Sequence, residues 1–314
     1  NLEFQQNGSG VTTLVGNNTY TGATIVNAGN LVIGNVLNGS QTIRVNQNGT
    51  LTVTSGASLT TPGIVTVVGT APVGSGANLP GVFVANGAID ASSVVIQQGG
   101  VLMGTGTIVG DVFVNAGGGL SPGNSVGTQT MSNLTLSGGA VLTFEFRDVT
   151  LAPGTGWDLI ELNGGLLDLG DASATNPITI NIDAWALNNS AHDSGSGLNN
   201  FDPLSSYQWL FIHSTNGTLP EYDNPPDDDL SRRFVIVDDI AGAGVFGTGN
   251  AFTRPISGAG QGTFGVAFGN FGGQGTGLYI TYSAIPEPGS MILAGLASLG
   301  AGWYGRRRRR RTSE

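Results

Sequence analysis

A recurring turn constrains this chain more than any other feature. Short runs rich in β-branched residues are each broken by Asn-Gly or Gly-Gly, as in TIVNAGNLVI, TIRVNQNGTLTV, GVFVANGAID, SVVIQQGGVLMG and VFVNAGGGLSPG. An apolar residue follows the turn at Leu31, Leu51, Leu102, Leu120 and near Val141, at shorter intervals of 20, 18 and 21 residues. Leu79 and Ile89 read as further copies in the long gap. Glycine supplies the corners: 53 of 314 residues are Gly, more than twice the usual share of about 7%. A unit of about twenty residues is longer than a hairpin needs and cannot bury its own apolar face, so successive units must stack. The expected fold of residues 1–140 is all-β, a parallel β-helix solenoid. A β-sandwich with a hairpin at every Asn-Gly is the rival. Asn27, Asn46, Asn86 and Asn115 stand just before their turns, where stacked amides would form a ladder down one corner.

Charge marks a second boundary. Residues 1–140 contain only Glu3, Asp90, Asp111 and Arg44 as charged groups, whereas residues 141–285 contain sixteen acids and four arginines. The strands of residues 141–284 still alternate (VLTFEFRD, WDLIELNG, ITINIDAW, SYQWLFIHS, RRFVIVDD, GTFGVAFG, GLYITYS), but they carry Trp157, Trp185, Trp209, Tyr207, Tyr279 and Tyr282. Aromatic rings fill a thicker core than a β-helix rung requires. The expectation here is a sandwich-like or capping β region, with loops at 187–206 and 216–231. The chain has no cysteine, which excludes disulfides and thiolate metal sites.

Residues 285–314 are of a third kind. The tripeptide Pro286, Glu287, Pro288 precedes an uncharged stretch from Gly289 to Tyr304, and Arg306, Arg307, Arg308, Arg309, Arg310 and Arg311 follow it. The stretch can enter a bilayer as one C-terminal transmembrane helix. Each arginine costs roughly 2.5–3.5 kcal/mol at mid-membrane, so six together stop transfer and remain on the cytoplasmic side. The prolines end a helix and keep the tripeptide extended. Sixteen residues reach only about 24 Å of a ~30 Å hydrocarbon core, which suits a temporary anchor. The run has no interleaved aromatics and the rest of the chain is acidic, a net −14 over residues 1–285, so nucleic acid is not an expected partner.

This order of elements resembles the PEP-CTERM sorting signal of Gram-negative bacteria. The resemblance implies an exosortase-like membrane protease as partner, with Pro286, Glu287 and Pro288 as its recognition site. It also implies export, transient inner-membrane anchoring, and then the cell surface or extracellular matrix, in an envelope, exopolysaccharide or biofilm role. Residues 8–35, with Asn-Thr-Tyr-Thr-Gly at Asn18–Gly22, look like an autotransporter-associated β-strand repeat, and residues 102–146 resemble the passenger region that follows such repeats. Those families imply a right-handed β-helix. They do not imply an autotransporter here, because the chain ends in one span and arginines rather than in many alternating barrel strands. The start NLEFQQNGSG shows neither an initiator Met nor a signal peptide, so the chain reads as a mature form or a fragment.

Chemistry has little to work with. His192 and His213 fit no metal-ligand or triad spacing. A polysaccharide lyase or glycosidase would need clustered carboxylates with basic partners, and the rungs of residues 1–140 offer three acids and Arg44. On WDLIEL, Asp158 and Glu161 should face opposite sides of a strand. Asp227, Asp228 and Asp229 offer hard oxygen for Ca²⁺, although Pro225, Pro226 and the lack of an EF-hand order favour a solvated charge run. The reading is a non-enzymatic exported β-solenoid with no cofactor. A β-helix carbohydrate-active enzyme and an adhesin with a specific glycan ligand are the alternatives.

Overall fold

The computed structural model describes residues 2–73, 80–184, 198–202, 204–215, 230–237 and 263–284. They form 23 strands and one 3-10 turn, Leu230–Arg232. The strands lie in two sheets, of 14 and 9 members, and the chain passes back and forth between them. Phe4–Gln6 and Thr24–Val26 belong to the larger sheet, while Val11–Leu14 and Gly29–Ile33 belong to the smaller. Every pair of strands within residues 4–237 is parallel. Parallel sheets linked in this way are consistent with a β-helix, and they rule out the hairpin sandwich for the first 140 residues.

The turn-following leucines explain the register. Leu31 pairs with Leu51, Leu51 with Phe83, Phe83 with Leu102, Leu102 with Leu120, Leu120 with Leu142, and Leu142 with Ile180. Each of these side chains is at most 1% exposed. A column of this kind arises because alternate residues of each strand face inward and strands stack about 4.8 Å apart. The opposite wall is built alike from Val26, Val45, Val67, Ile96, Val114 and Leu136, one per circuit. Full burial of each such side chain is worth about 1.5–3 kcal/mol. Phe83 fills the long gap in the leucine column. Leu79 lies outside the described residues, and Ile89 belongs to the other sheet, paired with Leu59 and Ile108.

One corner of the stack repeats a single turn. Asn48 has φ 65°, and Gly99, Gly117 and Gly139 have φ 72°, 72° and 79°. The residue after each donates its N–H three positions back, to Asn46, Gln97, Asn115 and Ser137, at 2.8–3.0 Å. A positive φ at the third position of the turn is the type II signature, and among non-glycine residues asparagine tolerates it best. The amide ladder is real but short. Asn27 Nδ2 donates to Asn7 Oδ1 at 2.6 Å, and Asn46 Nδ2 donates to Asn27 Oδ1 at 2.7 Å. Arg44 Nε caps it on Asn46 Oδ1 at 2.7 Å. Asn86 is not on this ladder. It occupies a different corner, where its Oδ1 accepts from Thr105 N and Asn124 Nδ2. Val68 takes the next place on the Asn27 and Asn46 corner, and its side chain has no amide with which to continue the chain of bonds.

Pairing does not stop where the acids begin. Val141–Phe146 continues the smaller sheet and receives Ile178–Ala184, then Phe234–Val237. Thr128–Leu136 continues the larger sheet and receives Leu159–Leu162, then Tyr207–Ser214. Aromatics enter the interior here: Phe144 meets Phe211 edge-on at 5.2 Å, and Phe146 meets Trp209 at 5.3 Å. The stack ends with a change of direction. Thr276–Ser283 pairs antiparallel to Tyr207–Ser214, and Thr263–Asn270 pairs antiparallel to Thr276–Ser283. This hairpin extends the larger sheet. At the opposite end, Phe4–Gln6 and Val11–Leu14 each pair on one side only among the described residues. Leu2, Val11 and Val15 stand 73%, 70% and 74% exposed beside these open edges. Among the described residues no helix is long and apolar enough to cross a membrane, and the expected span at 289–304 lies outside them.

Candidate functional site

Among the described residues the last strand, Thr276–Ser283, leads to Ala284, directly before residues 285–314. Tyr207 pairs with Tyr282 across the antiparallel junction. Two residues beyond Tyr282, Ala284 packs against the main core, and its N–H reaches Ser206 Oγ at 3.3 Å. Phe201, Phe264 and Tyr207 surround the Tyr282 ring with centroids 5.1, 5.1 and 6.3 Å away. Tyr207 also stacks on Trp209 at 5.1 Å with planes 8° apart. The sheet therefore grips the chain up to Ala284. Pro286, Glu287, Pro288 and the six arginines from Arg306 to Arg311 lie outside the described residues, as do Asp227, Asp228, Asp229 and His192.

A buried group of acids was not anticipated from the sequence. Glu145 and Asp183 are register partners on adjacent parallel strands, each 5% exposed, and Asp158 is fully buried. Asp158 Oδ1 accepts the Gly127 N–H at 2.8 Å and Oδ2 accepts the Glu145 N–H at 2.7 Å. Burial, and after it the Glu145 carboxylate, push Asp158 well above the usual carboxylate range. The two N–H groups pull it back in part, and Asp183 adds to the rise. The available signal was parity: Glu145 in VLTFEF and Asp183 in ITINID fall at equivalent steps of two alternating strands. Asp148 behaves differently. Burial alone would raise it, but bonds from Thr150 and Asn200 and the Arg147 charge hold it below its ordinary value. Thr150 N and Oγ1 donate to Asp148 Oδ1, and Asn200 Nδ2 donates to Oδ2 at 2.8 Å.

Glu161 and His213 are register neighbours on the outward face of the larger sheet, with Nδ1 and Oε1 3.7 Å apart. Asp158, by contrast, is sealed in the corner before Leu159–Leu162. The structure therefore does not bring Asp148, Asp158 and Glu161 together as one reactive set. The oxygens of Asp148 and Asp158 are occupied by the chain's own donors, which is what buried structural carboxylates require. Among the described residues no cluster of three or more His, Asp or Glu has the arrangement of a metal site.

The acids give a pH dependence with a defined sign. The folded chain holds the Asp158 proton to a higher pH than the unfolded chain does. The stability that protonation supplies is complete below about pH 4 and is lost as pH rises through the folded value. Asp148 has the opposite sign: its contribution is present above about pH 4 and is lost on further acidification. The thermal midpoint, followed by calorimetry, should rise as pH falls from neutral toward mildly acidic, and Asp158→Asn should flatten that slope. A slope unchanged by the substitution would mean that Asp158 is not the group responsible.

With this geometry in view, the chain resembles known families at its two ends. Residues 284–310 match the PEP-CTERM protein-sorting motif. This end resembles a sorting signal. It begins at Ala284, the residue after the strand Thr276–Ser283. Residues 4–33 match the passenger-associated-transport-repeat. Within that repeat Tyr20 packs on Phe4 at 6.4 Å and bonds Thr24 Oγ1 at 2.8 Å, and Thr24 Oγ1 bonds Ser40 Oγ at 2.9 Å. The Asn-Thr-Tyr-Thr-Gly run thus ties one circuit to the next, with Asn18 Nδ2 donating to Gly16 O and Val36 O. No curated protein matches the chain. The PEP-CTERM motif together with the repeat indicates an exported protein processed at a membrane by an exosortase and destined for the cell surface.

Proposed function

We propose that this chain is a non-enzymatic structural protein of the cell surface or extracellular matrix. It is a right-handed β-solenoid that the inner membrane holds through residues 289–304 until an exosortase-like protease, reading Pro286, Glu287 and Pro288, processes it. A biofilm or exopolysaccharide setting fits its acidic, low-charge stack. The observation that carries the reading is the match of residues 284–310 to the PEP-CTERM motif, placed directly after the hairpin. Intact mass of the protein recovered from its native envelope tests it. The expected mature species lacks the six arginines, and a surface form that retains all of them would overturn the reading.

The non-enzymatic part draws support from the acids. Asp148 and Asp158 serve backbone and side-chain donors of the fold, and Glu161 has only His213 as an ionic neighbour among the described residues. Incubation with neutral and acidic polysaccharides should release no product. Product formation that disappears in Glu161→Gln would favour the carbohydrate-active alternative instead.

A further inference from the structure

We propose that the aromatic end of the molecule, around Ala284, rests on the headgroup surface of the lipid bilayer that receives the tail. The inference builds on the membrane reading of residues 289–304. Only four residues, Ile285, Pro286, Glu287 and Pro288, separate Ala284 from Gly289. However they are arranged, the steps from Ala284 to Gly289 span at most about 18 Å, and the headgroup zone on each side of the hydrocarbon is itself about 5–8 Å deep. That leaves about 10–13 Å of reach beyond the headgroups, so Ala284 is tethered close to the membrane surface.

The chemistry at this exit suits such a surface. Leu204 is 44% exposed, and Phe201, Tyr207 and Phe264 are half-buried around Tyr282. Tyrosine and other amphipathic aromatics favour the membrane–water boundary, where an apolar body and a polar tip are both satisfied. Asp202 limits the depth. It is exposed, its oxygens accept from Leu204 N at 3.0 Å and Ser205 Oγ at 2.8 Å, and these bonds hold it below its ordinary value. A charged Asp202 beside Leu204 keeps the patch among headgroups and out of the hydrocarbon. The net charge of −14 over residues 1–285 makes the contact an apolar one, not an attraction to anionic lipid. Exposure alone does not single out this end, since Val15 at the far end is 74% exposed. What distinguishes it is the short tether.

The absence of cysteine makes single-site labelling direct. Full-length chains carrying Leu204→Cys or Val15→Cys, each spin-labelled, are reconstituted into phosphatidylethanolamine–phosphatidylglycerol vesicles and floated on a density gradient. In the floated fraction the ratio of collisions with oxygen to collisions with a water-soluble nickel chelate is read at each label. The expected result is flotation of both chains with a ratio several-fold higher at position 204 than at position 15. Flotation with equal ratios would overturn the surface contact and leave the membrane reading of the tail intact. Failure to float would overturn both.

Discussion

Glu287→Ala is expected to stop maturation and to accumulate the full-length chain in the inner membrane of the native host. The substitution leaves the uncharged stretch 289–304 and all six arginines in place. Insertion and orientation depend on those elements, because arginines resist transfer and stay cytoplasmic. The two prolines also remain, so the segment still cannot continue as helix. On the proposed reading, only the carboxylate that the protease recognises is missing. Intact mass and fractionation should show near-complete loss of the processed form, with the arginines retained. Neutral replacement of Arg306 to Arg311 should instead disturb orientation, which is a separable phenotype. Processing of Glu287→Ala at the normal rate would reduce the tripeptide to a linker.

The second large effect concerns the stack. Leu102 is completely buried between Phe83 and Leu120 in its column. Leu102→Ala removes three carbons from a position whose neighbours are held by backbone bonds in both directions, so the cavity cannot readily collapse. The expected loss is about 2–5 kcal/mol, read as a lower urea midpoint. Because circuits chiefly contact their nearest neighbours, hydrogen exchange should accelerate most in strands Gly81–Ala85 and Gly119–Pro122. Val109→Ala, at a position 52% exposed, should stay within about 0.5 kcal/mol of the parent. Equal effects at the two positions would mean that the column does not carry the stability assigned to it.

Much of the first half was legible because its local rules agree. Leu31, Leu51, Leu102 and Leu120 fall on one column, and the corner glycines adopt the positive φ that the turns demand. The gap between Leu51 and Leu102 was harder. The long strand Ser58–Val67 and the residues after it delay the return to the smaller sheet, so the column resumes at Phe83, where a search for leucine after Asn-Gly finds nothing. Asn86 shows the same limit. Its sequence context matches the ladder asparagines, yet it turns a different corner, and only the pairing distinguishes the two. The buried acids Glu145, Asp158 and Asp183 were hidden because parity aligns Glu145 with Asp183 but reports neither their burial nor the Gly127 and Glu145 N–H groups that hold Asp158. The sorting tail is legible in sequence alone, since its recognition depends on the order of residue types.

The hairpin Thr263–Asn270 and Thr276–Ser283 gives the stack a direction of growth. A new circuit stacks on a parallel neighbour in register, and Tyr207–Ser214 meets the antiparallel strand Thr276–Ser283 in that place. Circuits can be gained or lost before the hairpin, because each chiefly contacts its neighbours, without altering how Ala284 delivers the tail. Evolution can then vary how far the molecule extends while the machinery that releases it continues to see an unchanged base.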